Sequence, residues 1–553
     1  MKKILFAASE CVPFMKTGGL ADVVGALPKE FDKNEWDVRV VMPNYRGIPE
    51  EYRNNFEYVT HFYMGVGPYI PNVYVGIMKY VYNGVTYYFI DNLDYFGAME
   101  PYSDTRTDVE KFTFFCKAVL SILPVIDFRP DLIHCHDWQT GLIPVYLKTE
   151  FAANPFFWGI KTMMTIHNLR FQGVWDINTM KGLSGLPDYL FTPDKLEFKK
   201  DANMLKGGIV YSDFVTTVSN TYAQEIQTAY YGEGLDGLLS ARNQSLFGIV
   251  NGVDYSLYDP SNDVKLYRNY SEYNHREGKA ANKAELQKQL GLEVNPNKYM
   301  IGLISRLTDQ KGLDLVRYAM DRLIDDNTQI VVIGTGDPSY EEMFRYYAWC
   351  NSDKVSANIL YSDDLAHKLY AAADAFLMPS LFEPCGLTQI IAFHYGTIPI
   401  VRETGGLKDT VIPLNEFEDT GDGFSFSNYN GDELINTVNY SKYIYFEQPE
   451  IWDHMITRAM EKNLSWGVSK RRYEELYNTM IGRLINRRQQ REPIPYICDF
   501  SRGGLNTRLH TLVSKLCSEV TNIGDRLSLL VDCGYWHKIR IHFLKFFHRF
   551  VVV

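Results

Sequence analysis

Short apolar runs alternate with segments of helical periodicity along the first half of the chain. Residues 3–8 form one such run, and apolar residues then recur at helical spacing from Leu20 to Leu27. A short apolar run that leads into an amphipathic segment is typical of a buried strand followed by a helix. Strands that alternate with helices predict a mostly parallel sheet with helices on both faces. Further strands are predicted at residues 38–42, 86–90, 132–134, 163–166 and 214–218.

A second series of the same kind follows a polar stretch at residues 254–277. Apolar runs that begin at residues 299, 329, 375 and 397 each lead into a helical pattern. We therefore predict the α/β class, with two doubly wound domains of similar size and a boundary near residue 255. Ligands of open α/β sheets bind beyond the carboxyl ends of the strands, so two facing sheets would enclose a cleft.

The composition narrows the class of protein. The 553 residues carry a formal net charge of −11 and contain no long basic block, which argues against nucleic-acid binding. The eight cysteines lack paired metal-ligand spacing, and reduced thiols are typical of cytoplasmic proteins. The sequence has no apolar run of about 18 residues, the length of a membrane span, and its apolar start is too short for a signal peptide. We expect a cytoplasmic enzyme or binding protein.

A glycine turn lies between the first strand and the first helix, in MKTGGLADVVGALPK at residues 15–29. Gly18 and Gly19 would let the backbone adopt positive φ and approach a ligand closely. The free N–H groups of the first helical turn form an anion site, and Lys16 adds a positive charge there. The alternative is an ordinary turn with an exposed lysine. The pattern TGGLAD recurs in the second domain as TGGLKD at residues 404–409.

Charged side chains follow two strands of the second domain. Arg306 and Lys311, in SRLTDQKGLD, come directly after a strand, where two cations suit a pyrophosphate; an unrelated solvated loop is the alternative. Glu383, in PSLFEPCGLTQI, follows another strand and could accept hydrogen bonds from sugar hydroxyls, with the next backbone N–H groups free for phosphate oxygens. The alternative for Glu383 is a helix-start residue favoured by the helix dipole.

Histidines near the ends of two strands indicate no metal site. His134 and His136 share one face of a strand, but the sequence offers no third ligand. His167 either lines the predicted cleft or is a buried core histidine. The sequence GTGD at residues 334–337 lacks the third glycine of a dinucleotide fingerprint, and P-loop and GxSxG motifs are absent. We predict no metal and no cofactor.

Several long motifs occur in the order seen in one enzyme family. They are KTGGLADVVGALPK, HCHDWQTGL, TIHNLRFQG, IVNGVD, SRLTDQKGLD, FLMPSLFEPCGLTQ and TGGLKDTV. With these motifs the chain resembles the bacterial glycogen synthases and plant starch synthases over residues 1–482. The resemblance implies a retaining glycosyltransferase of the GT-B fold. Such an enzyme transfers glucose from ADP-glucose to the non-reducing end of an α-1,4-glucan such as glycogen.

The resemblance also implies a domain organisation. Residues 1–255 would form the N-terminal Rossmann-like domain, on the acceptor side, and residues 256–460 the C-terminal domain that binds the nucleotide-sugar. A helix within residues 461–482, near Glu461 to Met480, would cross back to the N-terminal domain. Residues 483–553 lie outside the resemblance and receive no predicted function. No metal is implied because fixed cations serve the pyrophosphate, and no oligomeric state is implied.

The resemblance assigns roles to particular residues. Residues at the reacting bond are Glu383, His167, Arg306 and Lys311. Glu383 would hold the glucose hydroxyls, His167 would lie beside the donor sugar, and the two cations would neutralise the pyrophosphate. Residues that contact ADP-glucose are Lys16, Gly18, Gly19, Asn251, Tyr361, Cys385, Gly386 and Leu387. Of these, Tyr361 would stack on adenine. Asp22 and Asp137 are expected to line the cleft.

One position departs from the wider GT-B signature, in which a second glutamate follows the first by eight positions. Ile391 stands there, so no carboxylate can bind the ribose from that position, although bacterial glycogen synthases share the EPCGLTQ form. Two rival predictions stay open: a related transferase that uses UDP-glucose or makes a small glucoside such as sucrose, and a catalytically silent glucan-binding protein. A glucan phosphorylase is disfavoured because the sequence offers no convincing pyridoxal-phosphate lysine motif.

Overall fold

The computed structural model describes residues 1–482. The tail at residues 483–553, which received no predicted function, lies outside the described residues. The described part contains two large sheets and one small one, with helices packed around them.

Twelve strands belong to the first half of the chain. They are β1 (Lys2–Ala7), β2 (Trp36–Pro43), β3 (Glu57–Met64), β4 (Val73–Tyr82), β5 (Val85–Asp91), β6 (Leu132–His136), β7 (Lys161–Ile166), β8 (Val174–Asp176), β9 (Glu197–Phe198), β10 (Asp201–Asn203), β11 (Phe214–Thr217) and β12 (Leu246–Gly248). Nine of them form one sheet in the order β12-β11-β7-β6-β1-β2-β5-β4-β3, and the order β8-β10-β9 forms the small sheet.

Helices cover this first sheet, and short 3₁₀ turns connect several of them. The α-helices are α1 (Gly19–Ala26), α2 (Glu50–Arg53), α3 (Leu93–Phe96), α4 (Thr105–Val125), α5 (Leu142–Lys148), α6 (Ile177–Ser184), α7 (Met204–Tyr211), α8 (Asn220–Glu225) and α9 (Asp236–Ala241).

The second half of the described chain forms a six-stranded parallel sheet in the order β15-β14-β13-β16-β17-β18. Its strands are β13 (Tyr299–Ile304), β14 (Thr328–Ile333), β15 (Val355–Asn358), β16 (Ala375–Met378), β17 (Ile398–Arg402) and β18 (Phe424–Phe426). The helices here are α10 (His275–Leu290), α11 (Leu313–Leu323), α12 (Pro338–Cys350), α13 (Asp363–Ala372), α14 (Thr388–His394), α15 (Gly405–Thr410), α16 (Gly431–Glu447), α17 (Pro449–Glu461) and α18 (Trp466–Met480).

The strands predicted from apolar runs are all present, but the edge hairpin β3–β4 was missed. These two strands pair antiparallel with each other, and β4 pairs antiparallel with β5, so the first sheet is mixed. Most residues of β3 are exposed, so the strand carries no continuous apolar run. An edge strand with one solvated face gives only a weak apolar signal.

The positions of β1 and β13 in their sheets decide where the functional loops lie. β1 pairs in parallel with β2 on one side and with β6 on the other. β13 is likewise flanked by β14 and β16. The chain leaves such strands at a point where the connections diverge, which opens a crevice at the carboxyl end of the sheet. The loops that follow these two strands carry Lys16 and Arg306.

Each large sheet has its own hydrophobic core, and α18 packs on the first of them. Trp466, Tyr473 and Tyr477 belong to that first core, and the Tyr477 hydroxyl lies 2.7 Å from His134 Nδ1. The helix that was predicted to start near Glu461 starts instead at Trp466, because α17 ends at Glu461 and a short loop follows. Within residues 1–482, no helix is long and apolar enough to cross a membrane.

Candidate active site

A cleft between the two halves contains two adjoining cavities. The smaller has a volume of about 320 Å³ and the larger about 570 Å³. Thr17 from the first half and Arg306 and Leu387 from the second line both cavities, so the two spaces meet at these residues. Cavities of this size are typical of sites for small-molecule ligands.

A buried carboxylate holds the glycine turn after β1. Glu10 is 3% exposed and accepts hydrogen bonds from the N–H and the hydroxyl of Thr17 and from the hydroxyl of Tyr102. These bonds fix the start of the turn to the first core. The sequence analysis missed Glu10, although an acidic residue three positions after the end of a buried strand was a usable signal.

The turn itself differs from the prediction. Gly18 has φ −157°, which is extended backbone, and Gly19 also lacks a positive φ, so the predicted left-handed conformation is wrong. The glycines instead leave space. A Cβ on Gly18 would meet no atom within 4 Å, and a Cβ on Gly19 would lie 3.7 Å from Leu387 Cδ1 across the cleft. The turn therefore presents bare backbone to the cavities.

Lys16 lies on the wall of the smaller cavity, beside Asp22. Its Nζ donates to Asp22 Oδ1 at 2.7 Å, and its side chain stays 39% exposed. Burial raises the pKa of Asp22, and the charge of Lys16 opposes that rise. The pair keeps an ammonium group at the cavity wall within reach of an anionic ligand.

The other two predicted cations, Arg306 and Lys311, both line the larger cavity. Lys311 Nζ donates to Glu383 Oε2 at 2.6 Å. The same carboxylate oxygen accepts from the Ser380 hydroxyl at 3.0 Å. The exposed guanidinium of Arg306 makes no hydrogen bond or ion pair with any residue of the described chain, and it lines both cavities. The structure thus brings a paired cation and an unpaired one to the same place.

The loop after Glu383 is fixed by its own backbone contacts. Gly386 has φ +73°, a conformation that favours glycine. Gln389 Nε2 donates to the carbonyls of Cys385 and Gly386, both at 2.9 Å. Cys385, Gly386 and Leu387 line the larger cavity just before α14, where the backbone N–H groups have no intrahelical acceptors. The sequence analysis did not single out Gln389 as a support of this loop.

His167 belongs to a row of three buried histidines. The ring centroids of His134 and His136 lie 4.1 Å apart, and His136 Nδ1 lies 2.9 Å from His167 Nε2. Burial lowers the pKa of His167 to about 3, so its ring is neutral near pH 7. In residues 1–482, no group of three or more His, Cys, Asp and Glu is arranged to hold a metal ion. His167 lines the larger cavity as a neutral hydrogen-bonding group.

Asp137 lies beside His167 in an unusual backbone conformation. Its Oδ1 accepts from the His167 N–H at 2.7 Å, and its φ is 56°. Burial raises the pKa of Asp137 to about 7. Positive φ in a residue other than glycine is uncommon and is found disproportionately at functional sites.

The smaller cavity has mainly apolar and aromatic walls. Tyr361 is 81% exposed there, and Tyr258, Tyr370 and Ile391 line the same space. Asn251 lies in the larger cavity, where its Oδ1 is buried and bonds to no atom of the described chain. All residues predicted for the site from the sequence line one of the two cavities.

Comparison with known proteins identifies the family. The model of the starch synthase catalytic domain matches residues 3–241, and that of glycosyl transferases group 1 matches residues 283–442. The glycogen synthases of Lachnospira eligens and Lachnoclostridium phytofermentans are 58% and 55% identical over 480 residues, which cover 87% of this chain and 100% of each relative. The chain belongs to the glycogen synthase and starch synthase family.

Solved structures agree with this family assignment. The catalytic domain of Starch Synthase IV from Arabidopsis thaliana, bound to ADP and acarbose, is 31% identical, with a TM-score of 0.81 over 87% of this chain and 99% of that one. Sucrose-phosphate synthase from Thermosynechococcus elongatus is 16% identical, with a TM-score of 0.56 over 87% and 100%, and shows the fold alone. The predicted GT-B fold and the predicted family are confirmed. The roles assigned to single residues stay predictions.

Proposed function

We propose that this member of the glycogen synthase family transfers a glucosyl unit from ADP-glucose to the non-reducing end of an α-1,4-glucan, with retention of configuration. The observation that carries the proposal is the larger cavity, which the Lys311–Glu383 pair lines together with Arg306, a residue that also lines the smaller cavity. A pyrophosphate at these cations would leave its nucleoside in the smaller cavity and its sugar in the larger one. The relatives named glycogen synthase, and the starch synthase bound to ADP and acarbose, support this donor and acceptor.

The smaller cavity suits an adenosine group. The Tyr361 ring is exposed on its wall and can stack on a flat base, and Ile391 supplies apolar contact. Lys16 approaches the same space from the first half of the chain. Its ammonium group can exchange Asp22 for a phosphate oxygen when the donor binds.

Charge stabilisation performs most of the catalysis in this proposal. As the bond between glucose and phosphate breaks, negative charge grows on the ADP oxygens and positive charge on the sugar ring. Arg306, Lys311 and the N–H groups before α14 stabilise the departing phosphate more strongly in the transition state than in the ground state. Lys311 is already oriented by Glu383 at 2.6 Å, which lowers the cost of this arrangement.

The larger cavity would hold the glucosyl unit. Glu383 can accept hydrogen bonds from sugar hydroxyls, while the neutral His167 ring contributes a hydrogen bond and no charge. Asn251 Oδ1 is a further acceptor for a hydroxyl. Buried polar atoms of this kind gain their partners when ligand binds, so they favour a polyhydroxyl ligand over an apolar one.

We assign retention of configuration to attack by the acceptor hydroxyl on the same face of the glucose ring as the leaving phosphate. The carboxylates that line the larger cavity are all engaged by protein groups: Glu10, Asp108, Asp137 and Glu383. A glycosidase-like nucleophile would need a carboxylate free to approach the sugar. We therefore assign the acceptor's proton to an oxygen of the departing ADP.

A cytoplasmic location also belongs to the proposal. The cysteines in the described part of the chain are free thiols: Cys11, Cys116, Cys135, Cys350 and Cys385. Unpaired, mostly buried cysteines are usual in a reducing compartment.

The test is the incorporation of labelled glucose into glycogen by the full chain, with ADP-glucose and UDP-glucose in parallel and EDTA present. We expect incorporation from ADP-glucose that EDTA leaves unchanged. Preference for UDP-glucose would replace the donor and keep the reaction. Glycogen binding without incorporation from either donor would refute the proposal and would support a catalytically silent glucan-binding protein.

The Glu383→Gln variant tests the site within the same assay. Loss of the charge that pairs with Lys311 should lower kcat by roughly 100-fold. Glu433→Gln is the matched control, because Glu433 accepts the Asn428 N–H at 2.9 Å and lines neither cavity. Equal rates for the two variants would remove Glu383 from the mechanism.

A further inference from the structure

Helix α8 of the first half contacts the loop that carries Glu383. Ser219 is the N-cap of α8 and is fully buried. Its hydroxyl donates to the carbonyl oxygen of Pro384 at 2.6 Å. Pro384 directly follows Glu383, so a side chain from one half of the chain holds the backbone next to the carboxylate of the other half.

The last residue of α8 holds a second segment beside the same loop. Glu225 accepts the Gly405 N–H at 3.1 and 3.2 Å with its two oxygens, and the Thr404 hydroxyl at 3.0 Å. The next N–H, that of Gly406, donates to the carbonyl oxygen of Glu383 at 3.0 Å. Glu225 therefore positions the glycine turn that in turn positions the Glu383 backbone.

A third pair of bonds fixes the far end of α15. Asp409 accepts the Thr221 N–H at 3.0 Å and the Thr221 hydroxyl at 2.6 Å. Helix α15 is thus held near both of its ends by α8.

The glycine turn at residues 404–409 packs tightly against the Glu383 loop. A Cβ on Gly405 would lie 1.9 Å from the Glu383 carbonyl oxygen, and a Cβ on Gly406 would lie 2.0 Å from that of Cys385. Backbone rests directly on backbone, and Gly405 adopts φ +46°. Closely packed backbones transmit a displacement because they have no room to absorb it.

We propose that Ser219, Thr221 and Glu225 are positioning residues for Glu383. Through the α15 turn and the Pro384 carbonyl, they couple the placement of the first half of the chain to the orientation of the carboxylate in the cleft. None of the three lines either cavity, so they act on the reaction only through the loop. The kinetic part of this inference rests on the proposed function, because glucosyl transfer is its readout.

The experiment compares Glu225→Ala, Glu225→Gln and Ser219→Ala in the full chain, with Glu433→Ala as the matched control. A small misplacement of a reacting group can cost on the order of 100-fold in rate, so kcat should fall roughly 10- to 100-fold in Glu225→Ala. The amide oxygen of Glu225→Gln can still accept the Gly405 N–H, so this variant should recover a large part of the rate. The Kd for ADP should stay within about twofold of wild type, since the altered residues do not line the nucleotide cavity.

Hydrogen exchange of residues 380–390 separates this inference from the proposed function. In Glu225→Ala we expect faster exchange there than in wild type or Glu433→Ala. Absence of transferase activity in the wild type would refute the proposed function. The exchange measurement would still test whether Glu225 orders residues 380–390. Glu225→Ala with wild-type exchange, or with kcat and ADP affinity falling together, would overturn the inference. If Glu225→Ala fails to fold, Glu225→Gln and Ser219→Ala decide by the same two readouts.

Discussion

The glycine turn of the first domain, residues 17–22, and that of the second domain, residues 404–409, both read TGGLxD at the start of a helix. Around the first turn the space is open. Gly18 has no neighbour within 4 Å of an added Cβ, and the turn borders both cavities. Around the second turn the space is filled, because Gly405 and Gly406 rest on the backbone of the Glu383 loop.

The residues that precede the two turns differ in charge. Lys16 precedes the first turn and extends along the cavity wall, whereas Glu403 precedes the second and accepts the Ser425 hydroxyl at 2.9 Å. A cation beside free N–H groups suits a phosphate, and a carboxylate in the same place would repel one. The same six-residue pattern therefore borders the cavities in one domain, where we propose that it binds ligand, and contacts the other domain in the second case.

The largest expected effect comes from adding a side chain to the second glycine turn, residues 404–409, which we call the closed turn. Gly406→Ala should lower the rate of glucose incorporation by 100-fold or more, an order-of-magnitude figure for a displaced catalytic group. The reason is that its Cβ would lie 2.0 Å from the Cys385 carbonyl oxygen, so the loop that carries Glu383 must move. Steady-state kinetics on purified protein measures kcat. A kcat within twofold of wild type would show that the second turn and the Glu383 loop separate easily, which would contradict the difference between the two turns.

The second largest effect is expected on KM, from a change beside the first glycine turn, residues 17–22, which we call the open turn. Lys16→Ala should raise KM for ADP-glucose by roughly tenfold, because a charge-assisted hydrogen bond to the donor is worth about 1.5 kcal/mol. High salt should reduce the difference from wild type, since Lys16 is partly exposed. Lys408→Ala, on the exposed side of the closed turn, is the control and should leave KM unchanged. An equal change in both variants would mean that Lys16 does not contact the donor.

A pH-dependent stability difference follows from the acidic end of the open turn. Burial raises the pKa of Asp22 above its usual 3.8. The folded state thus binds a proton more tightly than the unfolded state, so the stabilisation from Asp22 is complete below pH 3.8 and is lost as pH rises through the raised pKa. Asp22→Asn should remove that fall in the free energy of unfolding, as measured by urea titration at several pH values. Lys16→Ala should move the fall to higher pH, because Lys16 lowers the pKa of Asp22; an unchanged position would contradict the ion pair.

The smallest expected effect is on stability when the open turn is filled. Gly18→Ala should change the free energy of unfolding by less than about 0.5 kcal/mol. Alanine tolerates φ −157° and meets no neighbour, and the entropy it removes from the unfolded chain offsets its poorer N-cap preference. Thermal or urea unfolding of Gly18→Ala, Gly406→Ala and wild type measures how the free energy of unfolding changes at each turn. A loss above about 2 kcal/mol would show that the turn is packed in solution.

Local patterns in the sequence were sufficient for the central strands of the two large sheets and for the residue types that follow them. Apolar runs located the central strands, since buried parallel strands are nearly continuous in apolar residues. The edge hairpin β3–β4 escaped because its exposed face mixes aromatic and polar residues. The positive φ expected at Gly18 was wrong: glycine here leaves space beside the cavity and adopts an ordinary extended conformation.

The residue types that follow each strand could be predicted from the sequence, and with them the candidate cations, Glu383 and the family. The contacts among these groups came from the fold: Lys311 pairs with Glu383, Glu10 holds Thr17, and Glu225 reaches Gly405 across the two halves. The difference is one of distance along the chain. Strand and helix patterns arise from neighbours along the chain, whereas the partner of a polar side chain depends on how separate elements pack, and two turns of one sequence can face different surroundings.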